Sequence, residues 1–204
     1  MSVSPLAFET LRGDALHPWL PALARLRIEV FRDWPYLYEG DEAYEARYMR
    51  AYAEAPGAAV ILCRDGAEAV GAATCEPMEE THETVRQAFT AAGLDPARFC
   101  YFGESVLRRP WRGRGAGVAF FRHREAHARS LGLDYATFCA VQRAKDDPRR
   151  PADYTPLDDF WRRRGYTPYP DLACEFTWRE PGQAEESPHR LTFWIRALEG
   201  APLP

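Results

Sequence analysis

The most informative segment of this chain is Val106-Leu107-Arg108-Arg109-Pro110-Trp111-Arg112-Gly113-Arg114-Gly115-Ala116-Gly117. The apolar residues from Phe99 to Leu107, which run into this segment, predict a strand. Residues 115–131 predict a helix that stops at Gly132. Glycines let a backbone turn tightly and approach a ligand closely. The first amides of the helix lack partners within it and carry the positive end of its dipole. This order of strand, glycine loop and helix predicts a binding site for phosphate groups.

Two common nucleotide-binding patterns do not fit this loop. A Walker A loop is excluded because no Gly-Lys-Ser/Thr follows the glycines. A dinucleotide fingerprint needs a small residue where Val118 stands, and an acid after the next strand, where Gln142 and Arg143 stand. Arg112 and Arg114 can add charge-assisted contacts to phosphate oxygens. The identity of the ligand therefore depends on the rest of the chain.

The composition is typical of a globular protein and excludes several classes. The chain has 204 residues, 46% of them hydrophobic, enough for one sizeable core. A net charge of -4 argues against general nucleic-acid binding, and no apolar run approaches the ~20 residues of a membrane helix. Five separated cysteines and the absence of a secretory pattern predict reduced thiols in a cytoplasmic protein. The arginine-rich segment from Arg108 to Arg129 favours either a local anionic ligand or a solvated helix face.

The rest of the sequence alternates between strand and helix patterns. Asp65-Gly66 between two apolar runs predicts a hairpin. Thr155, Pro156 and Asp158 predict the capped start of the last helix. Other strands are predicted near residues 6–12, 58–63, 67–75, 135–141, 173–178 and 190–195, and other helices near 18–31, 41–53, 76–92 and 155–165.

Two segments together resemble the GNAT (Gcn5-related N-acetyltransferase) superfamily. Residues 106–117 are similar to its signature, an apolar strand followed by Arg/Gln-x-x-Gly-x-Gly/Ala at the start of a helix. Residues 160–166, Phe-Trp-Arg-Arg-Arg-Gly-Tyr, resemble its second hallmark, a helix that ends in Gly-Phe or Gly-Tyr. The order of predicted elements agrees over nearly the whole chain. The resemblance implies an α/β (α+β) fold in one domain, residues 1–204, with a central mixed sheet of about seven strands and four or five flanking helices.

The resemblance also implies acetyl-CoA as co-substrate and no metal. Coenzyme A would lie between two splayed parallel strands, with Val106 and Leu107 pairing with the pantetheine amides. Phe160 and Trp161 would lie near the thiol. An amine would attack the thioester directly, so the protein would hold both reactants together and help the ammonium lose a proton. The pyrophosphate would be held by Arg112, Gly113, Arg114, Gly115, Ala116 and Gly117.

Glu104 and Tyr166 are the candidate catalytic residues. Acids on the strand of Glu104 sometimes serve the superfamily as a base, although an edge position facing solvent explains this carboxylate equally well. The superfamily often has a tyrosine, acting as an acid toward the CoA sulfur, where this chain has Trp161, and an indole N–H has no accessible proton to give. Tyr166, Tyr154 or Cys139 could replace that tyrosine, or the thiolate could leave unaided.

Trp34, Tyr36 and Tyr38 fall where the superfamily has its acceptor-binding loop. They are predicted to line a pocket for an apolar, aromatic or cationic acceptor, and core packing explains any one of them equally well. The glutamates at 76, 79, 80 and 83 could attract a cation, but such a run is usually a solvated helix face.

His123 and His127 are one helical turn apart, as metal ligands can be. The zinc-protease pattern needs Glu after the first histidine, where Arg124 stands, and no third ligand is evident. We therefore expect no metal site at these histidines.

The leading hypothesis is an N-acetyltransferase that uses acetyl-CoA and a small-molecule primary amine, with no nucleic-acid or membrane partner. A non-catalytic acyl-CoA-binding or regulatory module is the alternative, supported mainly by Trp161. A nucleotide-binding enzyme with an atypical loop is the third hypothesis. The oligomeric state is left open, with a homodimer as one option because paired protomers are common in the superfamily.

Overall fold

A mixed sheet of eight strands forms the centre of the computed structural model, which describes residues 5–204. Within these residues none of the five α-helices is long and apolar enough to cross a membrane. The predicted mixed α/β fold is confirmed. The strands are β1 (Ala7–Leu11), β2 (Ala59–Asp65), β3 (Glu68–Pro77), β4 (Phe99–Tyr101), β5 (Ser105–Leu107), β6 (Tyr135–Val141), β7 (Thr167–Arg179) and β8 (Glu186–Ala197). The helices are α1 (Leu20–Phe31), α2 (Glu42–Glu54), α3 (Glu83–Ala91), α4 (Ala116–Ser130) and α5 (Asp158–Arg162).

The strands lie in the order β1-β2-β3-β4-β6-β8-β7, and β5 pairs with β3 beside this path. The predicted hairpin joins β2 and β3, which are antiparallel, and Gly66 at its tip has φ +59. The contact between β4 and β6 is parallel, while β6, β8 and β7 form an antiparallel group. Because β4 and β6 are parallel neighbours, the chain must cross over from one to the other, and α4 forms this crossover connection.

The predicted strand from residue 99 to 107 is interrupted after Tyr101. Its first half, β4, pairs with β6, whereas its second half, β5, pairs with β3. Glu104, in the interruption, donates its N–H to Thr74 Oγ1 at 3.1 Å and accepts the Thr74 N–H at 3.0 Å. A side chain at Gly103 would bring its Cβ within 2.7 Å of Thr74 Oγ1. This interruption raises the predicted seven strands to eight.

Both faces of the sheet are covered, because neighbouring residues of a strand point to opposite sides. Ile61 packs with α4 residues such as Phe120, whereas Leu62 packs with α1 and α2 residues such as Leu26. At the other end of the sheet, Phe89 of α3 packs against β8. The α1–α2 layer and the α3 layer therefore share one face of the sheet, and α4 covers the opposite face.

Two element boundaries differ from the sequence predictions. Glu76 was predicted to begin a helix, but it lies in β3, and α3 begins only at Glu83. The last helix begins at Asp158 with Leu157 at its N-cap, so the predicted cap at Thr155 is wrong. Sheet pairing decided the first of these boundaries, because pairing with Tyr101 continues β3 past Glu76.

Phe193 provides a test of the α3 side of the core. Its ring is fully buried, and the centroid of this ring lies 4.9 Å from the centroid of the Phe89 ring. We expect Phe193→Ala to lower the free energy of unfolding by about 3–5 kcal/mol, because it removes buried apolar surface and leaves a cavity. Denaturant unfolding measures the change, with exposed Leu203→Ala as the control at about 0.5 kcal/mol or less. A loss below 1 kcal/mol for Phe193→Ala would contradict this packing.

Candidate active site

The glycine loop leads directly into the N-terminus of α4. Gly113 and Gly115 have φ +75 and +85, a left-handed conformation that side chains rarely adopt. Gly115 is the N-cap of α4 and provides no side-chain cap, and the first helical bond runs from the Ala119 N–H to the Gly115 carbonyl. The amides between these two residues therefore have no partner within the helix. The exposed loop of residues 112–115 presents this end of the helix to an anion.

Gly117 and Phe160 bring the two sequence hallmarks together. A Cβ at Gly117 would lie 3.0 Å from Phe160 Cζ, so any larger residue would require this ring to shift away from the first turn of α4. The Arg164 guanidinium lies 3.5 Å from the centroid of the Phe160 ring on α5. Trp161, half-buried, packs with its ring 5.0 Å from those of both Phe138 and Trp194. The structure thus places Phe160 at the loop and Trp161 against the neighbouring strands.

Arg112 links the loop to the end of β5. Its Nε donates to the Leu107 carbonyl at 3.0 Å, and desolvation lowers its pKa. Arg109 is paired with Asp33 at 2.9 Å, and Arg108 with Glu29 at 2.8 Å and with Glu68. Acidic side chains thus already balance part of the arginine-rich segment. Arg114 lies exposed on the loop itself.

The backbone edges of β5 and β6 diverge next to this loop. On β5, Val106 and Leu107 pair with β3 along one edge only. The pairing of β6 with β4 ends at Thr137, and beyond that point β6 pairs only with β8. Within residues 5–204, the facing edges of β5 and of residues 138–141 therefore share no strand pairing. Their N–H and C=O groups can bind the amides of an extended ligand.

Glu104 lies in a buried network beside this opening, not on an edge that faces solvent. It is 8% exposed, and its Oε1 is 2.5 Å from Arg27 Nη1. Its Oε2 accepts the Tyr48 hydroxyl at 3.0 Å, and Arg27 also pairs with Glu45. The Arg27 guanidinium carbon is 3.9 Å from the Tyr48 ring centroid. The strand interruption, α1 and α2 thus converge on one charged cluster.

The three predicted acceptor residues lie on the loop between α1 and α2, and all three are half-buried. Arg143 holds this loop by donating to the Pro35 carbonyl at 2.7 Å and the Tyr36 carbonyl at 2.6 Å. Burial raises the pKa of Tyr36 and of Tyr38. Trp34 packs edge-on against Tyr154 at 6.0 Å, and its buried Nε1 has no hydrogen-bond partner.

A family model for the acetyltransferase (GNAT) family matches residues 23–151, from α1 through the signature loop and β6. The chain belongs to the GNAT acetyltransferase family. No curated protein sequence matches it. Family membership confirms the resemblance drawn from the glycine loop and supports acetyl-CoA-dependent acyl transfer as its class of activity.

Several solved structures share this GNAT fold at low sequence identity. Ribosomal-protein-alanine N-acetyltransferase from Brucella melitensis has a TM-score of 0.62 and 13% identity, covering 94% of this chain and 99% of that one. Arabidopsis thaliana NAA60, solved in complex with acetyl-CoA, has a TM-score of 0.62 and 11% identity, covering 96% and 100%. Salmonella typhimurium yncA, solved with its cofactor acetyl-CoA, has a TM-score of 0.59 and 12% identity, covering 97% and 98%.

Tyr166 is placed differently from the role predicted for it in the GNAT mechanism. It is 2% exposed, and its hydroxyl donates to Glu125 Oε1 at 3.1 Å. Its ring packs against Phe121 at 5.0 Å and Phe138 at 5.1 Å, and burial raises its pKa. These contacts assign the hydroxyl to the core, where Arg196 also binds Glu125 at 2.8 Å. They do not support the predicted proton transfer to a CoA sulfur.

Sequence reasoning missed three charged residues of this GNAT site. Arg27 and Glu45 come from the two helices before β2, and Glu76 was considered only as part of a charge run. Each is buried: Arg27 and Glu76 are 8% exposed and Glu45 is 0%. Arg27 stands within the apolar side of α1, between Leu26 and Ile28, and a charge at such a position was the available signal.

The two histidines of α4 have separate structural contacts. His123 Nδ1 lies 3.3 Å from Thr10 Oγ1 and its ring stacks on Phe8. His127 Nε2 lies 2.8 Å from the Gly57 carbonyl oxygen. Within residues 5–204, no group of three histidine, cysteine or acidic side chains is arranged to hold a metal ion.

Gly115 and Gly132 allow a matched test of the loop. They precede and follow α4 with φ +85 and +72, and a Cβ at either would meet no atom within 4 Å. Alanine at either position imposes similar backbone strain, but only Gly115→Ala alters the anion-binding end of the helix. We expect calorimetry to show at least tenfold weaker CoA binding for Gly115→Ala and unchanged binding for Gly132→Ala. Equal affinities for the two variants would contradict the assignment of the loop.

Tyr166→Phe separates a core role from an acid role. We expect the free energy of unfolding to fall by about 0.5–1.5 kcal/mol, because the hydrogen bond to Glu125 is lost. The turnover number with acetyl-CoA should change by less than threefold at a temperature where both proteins are folded. A hundredfold loss of turnover with unchanged stability would instead restore Tyr166 as the acid.

Proposed function

We propose that this protein is an N-acetyltransferase that moves the acetyl group of acetyl-CoA to the primary amine of a small molecule, by direct attack in a ternary complex. The observation that carries the proposal is the convergence of three features. The buried carboxylates around Arg27 meet at the interruption at Glu104, the unpaired edge of β5 follows this interruption, and the anion-binding start of α4 follows β5.

The donor side follows from the loop and the two strand edges. The amides at the start of α4, together with Arg112 and Arg114, would hold the pyrophosphate. The free edges of Val106–Leu107 and of β6 would pair with the pantetheine amides. Phe160, fixed against Gly117, and Trp161 would border the thiol end. Bound acetyl-CoA supplies a thioester carbon that an amine can attack.

The acceptor side is formed by the loop of Trp34, Tyr36 and Tyr38 and by the carboxylates beneath it. Aromatic rings can contact an organic cation, and the unpartnered Trp34 Nε1 can donate a hydrogen bond to an acceptor atom elsewhere on the substrate. An amine arrives largely as an ammonium at neutral pH, so a nearby carboxylate stabilises it. Glu104, the predicted base, contacts the amine in this proposal.

The chain would accelerate the reaction mainly by holding donor and amine together. Such positioning can contribute about 7–11 kcal/mol to the lowering of a barrier. Removal of the ammonium proton contributes a further ~10²–10⁴-fold. Trp161 provides no acidic proton, so the leaving sulfur receives its proton from elsewhere.

Thiol release from acetyl-CoA tests the proposal directly. We expect release to depend on a small primary amine in a panel of amines, amino acids, polyamines and peptides. Coenzyme A should also raise the melting temperature, because a ligand that binds only the folded state stabilises it by RT ln(1 + [L]/Kd). Glu104→Gln should lower kcat/KM for the amine at least tenfold and leave the CoA-induced shift intact.

Each alternative predicts a different result in the same assay. Coenzyme A binding without thiol release on any amine would favour a non-catalytic module. Tight binding of ATP or NAD without CoA binding would favour a nucleotide enzyme. Acetylation of peptides alone would keep the transferase but replace the small-molecule acceptor.

A further inference from the structure

The buried cluster next to the acceptor loop contains more acidic than basic groups. Glu45, Glu76 and Glu104 are each at most 8% exposed, and Arg27 is the cation that pairs with two of them. Glu45 Oε1 is buried without a hydrogen-bond partner. Burying an unpaired carboxylate is costly, so an excess of this kind favours a positively charged ligand.

Glu76 is the member of this cluster without a cationic partner. It lies on β3 two residues after Thr74, so both side chains point to the α1–α2 face of the sheet. Thr74 bonds the Glu104 backbone and the Tyr52 hydroxyl, which places Glu76 beside the interruption in the neighbouring strand. Among residues 5–204, Glu76 forms no ion pair, and its side chain bonds Thr81.

Glu104, in contrast, already has both carboxylate oxygens engaged. Oε1 faces Arg27 Nη1 at 2.5 Å, and Oε2 accepts the Tyr48 hydroxyl. This arrangement suits a fixed negative charge that holds a cation. It is less suitable for a group that must repeatedly gain and lose a proton, because each protonation would break the ion pair with Arg27.

We propose that Glu76 is the proton acceptor for the amine, and that Glu104 holds the incoming ammonium beside it. This proposal rests on the proposed acetyl transfer and assigns the acceptor as an amine that binds in its cationic form. It makes Glu76 a catalytic residue and Arg27 a positioning residue that acts through Glu104.

The proton and electron balance of the step is complete. The ammonium gives one proton to the Glu76 carboxylate and becomes a neutral amine. The nitrogen lone pair then forms a bond to the thioester carbon, and the carbon–sulfur bond breaks with its electron pair going to sulfur. A second proton from the nitrogen is transferred to that sulfur, which yields the amide and coenzyme A thiol. Glu76 finally releases its proton to water.

The surroundings of Glu76 match this task at neutral pH. Burial, with smaller contributions from Glu104 and Glu80, raises its pKa to about 7, while the bond to Thr81 acts in the opposite direction. The other titratable groups on this side of the sheet are Tyr48 and Tyr52 of α2 and Tyr101 of β4, the cross-strand partner of Glu76. A base is most effective when its pKa lies near the working pH.

The test is the pH dependence of kcat/KM with two acceptor amines whose own pKa values differ. Below pH 7 Glu76 is protonated and cannot accept a proton, so the rate should rise through about pH 7 with both amines. Only the alkaline limb should move with the pKa of the amine. An acid limb that followed the amine would overturn the assignment.

Isosteric variants complete the test. Glu76→Gln should lower kcat at least 100-fold and abolish the acid limb, whereas Glu76→Asp should retain part of the rate. Glu104→Gln should raise KM for the amine and keep the acid limb. Exposed Glu79→Gln is the control and should match the parent protein.

Two outcomes separate the failure of this proposal from failure of acetyl transfer itself. Full activity with an intact acid limb in Glu76→Gln would overturn the role of Glu76 alone. Absence of thiol release from the parent protein with every amine would overturn the proposed function, and Glu76 with it. The CoA-induced rise in melting temperature shows in each variant that the fold and the donor site are intact.

Discussion

The interruption at Gly103–Glu104 is the constraint on which the arrangement of both candidate binding sites depends. An extended strand through residues 99–107 would continue to pair with β6 and close the opening beside the glycine loop. The interruption is stable because its polar groups are satisfied: Thr74 accepts the Glu104 N–H, and Thr74 N–H and Arg124 Nη1 donate to the Glu104 carbonyl. Without such partners, buried backbone groups would make a break in the sheet unfavourable.

Two buried arginines stabilise this region in different ways. Arg27 compensates two carboxylates from separate elements, which ties α1 and α2 to the interrupted strand. Arg124 is 2% exposed and donates to backbone carbonyls, with its guanidinium carbon 4.4 Å from the Phe102 ring centroid. Desolvation lowers its pKa, as expected for a cation held mainly by dipoles and aromatic faces. The neutralising charge for the acidic cluster therefore comes from the α1–α2 side of the sheet.

Local features of the fold were readable in the sequence, and long-range ones were not. The loop at residues 112–117 depends on the backbone freedom of its glycines, so its left-handed turn at the start of α4 follows from neighbouring residues alone. The burial of Glu104 and Glu76 depends on helices that are more than 20 residues away in sequence, such as α2 with Glu45. The same reason explains Tyr166, whose Glu125 partner lies 41 positions away. Periodicity reports the type of an element, but not which polar side chains meet across the sheet.

The tryptophan at the family's usual tyrosine position need not remove the chemistry. An ammonium that becomes an amide nitrogen gives up two protons, and the leaving sulfur needs only one. A single base can take the first proton, and the second can pass from nitrogen to sulfur. Trp161, packed against Phe138 and Trp194, would then contribute shape near the proposed thiol end without supplying a proton. A base at Glu76 is thus sufficient for the proton balance. No separate acid is then required, but the protein must hold the amine nitrogen close to the sulfur that receives its second proton.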